Sequence, residues 1–325
     1  MEQEKLKVEL YSIPIDLSDN QHGTQIRKFL SQAAEVLHKQ KEIPVAHLCL
    51  LLGISRQAYY KRIQSRKTRS AELGIIKSMD IKDRILQPRI GTRKLYYLLS
   101  DTIDSWGIKI GRDALFDTLR TEHMLLELLK SFAKTTNSKH WLHKHPNYFK
   151  DMVVTYPEQA WVSNITYLRN KSEFSYLSLV TDSFSRMIMG YHVSPNLQTE
   201  RLIMALRIAI KQKTYNTPTL HHSDLGLQYY SEDYQLVLKE KLMKCLMTDE
   251  YDPYQNPLAE RVIGICKNEF FPETYENLVH AREIVKQSVF IYNNIRPHLN
   301  LNIHTPEYVH NKNSKPEPAV LSLYV

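Results

Sequence analysis

Apolar residues recur at helical spacing through the first third of the chain and give way to strand-like runs at Trp161. Ile26, Phe29, Leu30, Ala33, Val36 and Leu37 predict a helix over 24–40 whose apolar stripe needs a partner, in the chain or in a second subunit. From Val45, VAHLCLLLGISRQAYYKRIQS reads as a helix, a turn at Gly53 and a second helix capped by Ser55. Pro88 breaks the next helical run, and RIGTRKLYYLLSDTIDSWGIKIGRDALFDTLRTEHML gives two more helices around Gly107. WVSNITYL, FSYLSLVTD and RMIMGYHVS are short runs rich in Val, Ile, Tyr and Leu with hairpin-length polar breaks, the pattern of an antiparallel meander. A helix over 199–213, a strand ending at Asp224, a helix over 232–242, a strand at Lys244–Met247 and two further helices complete an α/β order.

Two carboxylates stand at telling places in that order. Asp224 closes the apolar run that passes through His221 and His222, where a buried strand would show its last side chain to solvent. Glu260 falls one turn into a helix whose start is written by Asn256 as N-cap and Pro257 at the first helical position. A strand-end Asp and a first-turn Glu are suitable ligands for a hard divalent cation, which prefers carboxylate oxygens and open positions for water or phosphate.

The helices at Val45 and Ser55 have the grammar of a helix-turn-helix, with Arg56, Gln57, Tyr60 and Lys61 offered to a DNA groove or to phosphates. An ordinary helical hairpin has the same pattern, and the basic tail KRIQSRKTR favours the DNA reading. In the second helical pair Arg93, Lys94 and Arg112 are candidate phosphate contacts, against the alternative of plain solvated charge.

The motifs HSD.G.QY and N..AER....K.E, holding Asp224 and Glu260 with 35 residues between them, resemble the second half of the DDE catalytic core of retroviral integrases and bacterial transposases. The pattern is most similar to the OrfB-type transposase of the "IS-three" insertion-sequence family, over about 45–309. The resemblance implies a ribonuclease H-like integrase core, a mixed five-stranded sheet with flanking helices, behind an all-α DNA-binding region. It divides the chain into a leader and helix (1–43), two helix-turn-helix candidates (44–130), a basic linker (131–156), the catalytic domain (157–310) and a tail (311–325). It also implies two Mg²⁺ or Mn²⁺ ions, cutting and joining of double-stranded DNA, a homo-oligomer on DNA, and a small helix-turn-helix partner protein from the same element. Lys267, two helical turns after Glu260, resembles the lysine that holds the element end; a plain surface lysine is the alternative. Tyr292, Arg296, Pro297 and His298 match the family's terminal motif and read as structural.

One departure bears on activity. The family's first strand reads W..DITY, and this chain has WVSNITYL, with Asn164 where the first catalytic Asp belongs. An amide is neutral and ligates only through its oxygen, so it poorly replaces a carboxylate bridging two cations. Asp182, the nearest substitute, should lie ~10 Å along the neighbouring strand, too far to help. Leu225 and Ile263 replace the family's usual Arg and Asn. Two functions follow: a transposase, or a catalytically inactive relative that still binds element ends. The turn after the first strand holds Asn170, which reads as a neutral position for a control substitution.

Composition adds little to this. The net charge of +8 suits a polyanionic partner, though 43 Lys and Arg against 35 Asp and Glu is a soft excess. Cys49, Cys245 and Cys266 form no CxxC pair, and His140, His143 and His145 have no cysteines beside them to make a zinc site. No apolar run reaches the roughly 18–20 residues that span a bilayer, and MEQEKLKVEL has no signal-peptide core. A cytoplasmic, nucleoid-associated bacterial protein without membrane contact is the expectation.

Overall fold

The computed structural model describes residues 23–126, 152–223, 226–247 and 257–312. The expectations placed on the leader, on most of the linker, on Asp224, Leu225 and Asn256, and on the end of the tail lie outside those residues. The chain folds as two compact units, with the boundary between Met79 and Asp80.

The first unit contains α1 (Gly23–Lys41), α2 (Val45–Leu52) and most of α3 (Arg56–Leu86). Ala33, Ala34 and Leu37 of α1 close on Leu48, Cys49 and Tyr59, so the described end of the stripe read from the sequence packs inside the chain. Gly53 turns the chain at φ +63°, its N–H bonding back to Leu50 while Ile54 bonds to Cys49, and Ser55 Oγ accepts the Ala58 N–H at 3.1 Å. A left-handed residue there is what this C-cap requires, and glycine adopts it without strain. The helix after the turn is longer than the sequence suggests. It runs 31 residues through the basic segment and Gly74, and stops only ahead of Pro88.

The second unit opens with α4 (Thr92–Ser105) and α5 (Arg112–Thr121), which repeat the same turn chemistry at Gly107, φ +69°. Leu95, Leu99 and Ile103 of α4 and Leu115 and Leu119 of α5 are buried. A five-stranded sheet follows, in the order β3-β2-β1-β4-β5. β1 (Ala160–Arg169), β2 (Phe174–Asp182) and β3 (Ile188–Ser194) form the expected antiparallel meander, while β4 (Leu220–Ser223) and β5 (Lys244–Met247) run parallel to β1.

Both faces of the sheet are covered. On one, α6 (Thr199–Gln212) and α7 (Glu232–Glu240) pack on Trp161, Val180 and Met189. On the other, α8 (Pro257–Glu269) and α9 (Leu278–Asn294) pack on Leu168, Leu177 and Leu179, with α10 (Pro306–Lys312) against α9. α6 comes so close to β3 that a Cβ on Gly190 would lie 2.2 Å from the Ala205 carbonyl oxygen. Three layers of this kind place open strand ends on one side, and the crevice beyond the carboxyl ends of neighbouring parallel strands is where such sheets bind ligands.

Candidate active site

The parallel ladder between β1 and β4 is described as far as Ser163 paired with Ser223. Asn164 follows directly, at the point where β1 continues beside β2 opposite Leu179, which leaves Asp182 three residues along the neighbouring strand as expected. It is half-buried, and its Oδ1 accepts the N–H of Ile165 at 2.7 Å. The amide oxygen is therefore engaged within its own strand, just past the described part of the ladder to β4. The residue after Ser223 in the sequence is Asp224.

Glu260 sits in the first turn of α8, as the Pro257 signal predicted, and its side chain is exposed to solvent. The helix buries Ala259, Val262, Ile263 and Cys266 against the sheet, which leaves Glu260 on its flank. Ile263 is 7% exposed, so an apolar residue is what its packing asks for. Lys267, two turns after Glu260, is half-buried, and loss of water lowers its pKa from the usual lysine value.

Asp182 is wholly buried and fully engaged elsewhere. Its two oxygens accept the N–H groups of Glu158 and Ser185, both at 2.7 Å, and the Ser185 hydroxyl at 2.6 Å. His310 closes the cluster, its Nδ1 3.0 Å from Ser185 Oγ and its Nε2 3.3 Å from Glu158 Oε1. Burial alone would push the His310 imidazolium pKa down, but the Asp182 and Glu158 carboxylates outweigh it and raise it to about 9. Asp182 thus belongs to a buried network that ties α10 to the sheet.

His221 and His222, the strand residues before the candidate carboxylate, are buried too. His221 Nε2 lies 2.8 Å from Ser163 Oγ and 3.0 Å from Tyr234 Oη. Burial, with His222 beside it, drives the His221 pKa to about 3, so the ring is neutral. Among the described residues no group of three His, Cys, Asp or Glu side chains gathers to hold a metal.

The nucleic-acid candidates fall into two kinds. Arg56, Gln57, Tyr60 and Lys61 are all exposed on the first turns of α3, as a recognition helix needs, while Tyr59 between them is buried. Arg93 and Arg112 are exposed, the latter 2.9 Å from Asp113. Lys94 is different: its ammonium lies 2.8 Å from Glu269, with a side chain only 12% exposed. Arg296 holds the same carboxylate through Nε and Nη2, both at 2.6 Å. Burial would raise the Glu269 carboxyl pKa, but Arg296 and Lys94 together hold it below the usual range. A phosphate contact through Lys94 would have to break this ion pair. The pairing also gives Glu269, present in the sequence motif without an assigned role, the task of docking α4 on the core. Tyr292 and His298 pack edge to face at 4.8 Å inside the fold, in keeping with a structural terminal motif.

The chain matches two family models, each described as "Integrase core domain", over residues 155–253 and 242–306. It is 28% identical to the "Insertion element IS600 uncharacterized 31 kDa protein" of Shigella sonnei, covering 78% of this chain and 94% of that one. It is 26% identical to the transposase InsF for insertion sequence IS3A of Escherichia coli, covering 84% and 96%. The magnesium-bound catalytic core domain of HTLV-2 integrase, in its trimeric form, is similar at 18% identity, with a TM-score of 0.39 over 48% of this chain and 97% of that one. With the integrase core spanning the sheet and its helices, and the alignment to InsF running on through the helical region before it, this chain belongs to the IS3 family of insertion-element transposases.

Proposed function

We propose that this transposase binds the ends of its element as an oligomer on double-stranded DNA, and that its cutting and joining chemistry is impaired at Asn164. Binding is assigned to the exposed face of α3 around Arg56, Gln57, Tyr60 and Lys61, to Arg93 and Arg112, and to Lys267 beside the catalytic carboxylate. Asp224 and Glu260 are the proposed metal ligands. A small helix-turn-helix protein from the same element is the proposed partner.

The observation that carries the reading is the Asn164 amide, whose oxygen is spent on the Ile165 N–H at a position that the sequence motif gives to the first carboxylate. Asp224 and Glu260 supply anionic oxygens for one divalent ion, Mg²⁺ or Mn²⁺. The donor set does not fit two ions bridged by a shared carboxylate, because the position that should bridge them holds a neutral group already engaged. A bound ion of this class polarises a phosphoryl oxygen and activates a nucleophile. With several kcal/mol of charge stabilisation missing, the rate should fall by roughly a hundredfold or more, at 1.36 kcal/mol per tenfold.

The test is Asn164→Asp in the full chain, assayed with Mn²⁺ on a linear substrate carrying the element's ends. The variant should gain 3′-end cleavage or strand transfer by at least a hundredfold, while DNA affinity and its steep salt dependence stay as in the parent. Asn170 is unsuitable as the control, because it is 3% exposed and its amide donates to Ser175 Oγ at 2.6 Å. Ser172→Asp, in the same turn and exposed, takes its place. Robust cleavage by the unmodified chain would overturn the reading.

A further inference from the structure

Beneath α8 lies a cavity of about 360 Å³ that gathers more positive charge than the packing around it requires. Lys94, Arg186, Arg261 and Arg296 all line it, together with Tyr292 and His298. One carboxylate, Glu269, answers two of the cations. The guanidinium groups of Arg186 and Arg261 have no hydrogen bond or ion pair among the described residues. Asp182, the acid whose charge Arg186 feels, is committed to Ser185, the Glu158 N–H and His310.

Two polar atoms point to what the charge is for. Tyr292 is completely buried and His298 is 7% exposed, yet Tyr292 Oη and His298 Nε2 have no hydrogen-bond partner among the described residues. Leaving such an atom unpaired costs about 1–3 kcal/mol, so two of them in one polar cavity call for a ligand. Burial, and after it Arg296, Lys94, Arg186 and Arg261, push the His298 pKa down to about 2. The ring is therefore neutral, and it registers all four cations at once. A neutral imidazole can offer an N–H, tyrosine an O–H, and each guanidinium a fork of donors, so the cavity is rich in donors.

We propose that this cavity holds a phosphate group of the DNA backbone, gripped by Arg186 and Arg261 and completed by Tyr292 Oη and His298 Nε2. The proposal rests on the DNA-binding function given above and adds a contact to it. Arg261 follows Glu260 in the sequence, so a phosphate held there would anchor the strand one residue away on the helix from the proposed metal ligand. Arg296 and Lys94 set the potential of the cavity while remaining on Glu269.

Inorganic phosphate is the first probe, titrated into the full chain with melting temperature as the readout. It should stabilise the parent, and Tyr292→Phe and Arg261→Gln should each raise the half-saturating concentration at least about tenfold, as expected for losing a hydrogen bond to a charged group. Tyr292→Phe removes a hydroxyl that has no partner among the described residues, so without phosphate its melting temperature should not fall. DNA is the second probe: the slope of log K against log salt should become shallower by about 0.9 in Arg261→Gln, the mark of one lost phosphate contact. An equal phosphate response in parent and variants overturns the cavity. A response lost in the variants with an unchanged DNA slope overturns the DNA backbone as the source and leaves a free phosphate. A parent that binds phosphate and no DNA overturns the proposed function instead, which separates the two failures.

Discussion

Asp182 and Asn164 lie on paired strands, three residues apart in register, and their surroundings differ in every respect that decides whether a carboxylate can act. Asp182 is the residue with the charge, but it is buried, its oxygens accept three hydrogen bonds, and a protonated His310 lies 3.8 Å away. Asn164 lies mid-strand in β1, half-buried and just past the described ladder to β4, but it has no charge to offer. A carboxylate close to the candidate site is thus not free to act in it. What matters is whether its lone pairs are already taken, and the two positions have the right chemistry and the right place divided between them.

The largest expected effect comes from breaking the structural member of this pair. Asp182→Ala leaves the Glu158 and Ser185 N–H groups without their acceptor and a charged imidazole without its partner. Removing one side of such a buried cluster typically costs about 3–5 kcal/mol. Chemical denaturation of the full chain should show that loss, with no specific change in metal response. A variant as stable as the parent, but with its metal response gone, would place Asp182 in the site after all.

The strand register, and with it the offset between Asn164 and Asp182, was legible because the short turn at Asn170 fixes how the two strands of the hairpin pair. The start of α8 was legible from Pro257 for a similarly local reason. Lys94 was not. Its charge is visible in the sequence, but its partner Glu269 lies 175 residues away, and nothing local distinguishes a docked lysine from a solvated one. Glu158 and His310 are 152 residues apart and were missed for the same reason. The length of α3 was missed because the helix from Ser55 and the run that Pro88 ends were read as two helices, whereas the basic segment between them continues as one. Local chemistry writes elements and caps; buried ion pairs are written by the fold.

The second effect follows from the His310 cluster and has a definite sign. Its folded pKa of about 9 stands above the ordinary histidine value of 6.5, so the stabilisation is complete below pH 6.5 and is lost as the pH rises through about 9. His221 and His298 act oppositely. Held neutral at about 3 and about 2, they favour the fold above pH 6.5 and withdraw that support as the pH falls. Between about pH 6 and 9.5 the parent should lose at most about 3 kcal/mol in denaturant titrations, and His310→Gln should flatten the alkaline limb while leaving the acid limb intact. An alkaline limb that survives His310→Gln would mean the buried cluster is not what holds α10.

The smallest effect sharpens the other half of the comparison, the crevice itself. If Glu260 and Asp224 hold one divalent ion without help from position 164, Mn²⁺ should stabilise the full chain only modestly. At tenfold excess over the dissociation constant the linkage is about 1.4 kcal/mol, a shift that a thermal melt resolves. Asp224→Ala should remove it, because a single exposed carboxylate on α8 is a weak ligand alone. Asn164→Asp should enlarge it, because a third anionic ligand joins the set and lets a second ion share it. Asp182→Asn should leave the Mn²⁺ shift unchanged whatever it does to the baseline melting temperature, since that carboxylate faces Ser185 and His310. An Mn²⁺ shift that ignores Asp224→Ala but vanishes with Asp182→Asn would reverse the two positions, making the buried cluster the metal site and leaving Asn164 outside it.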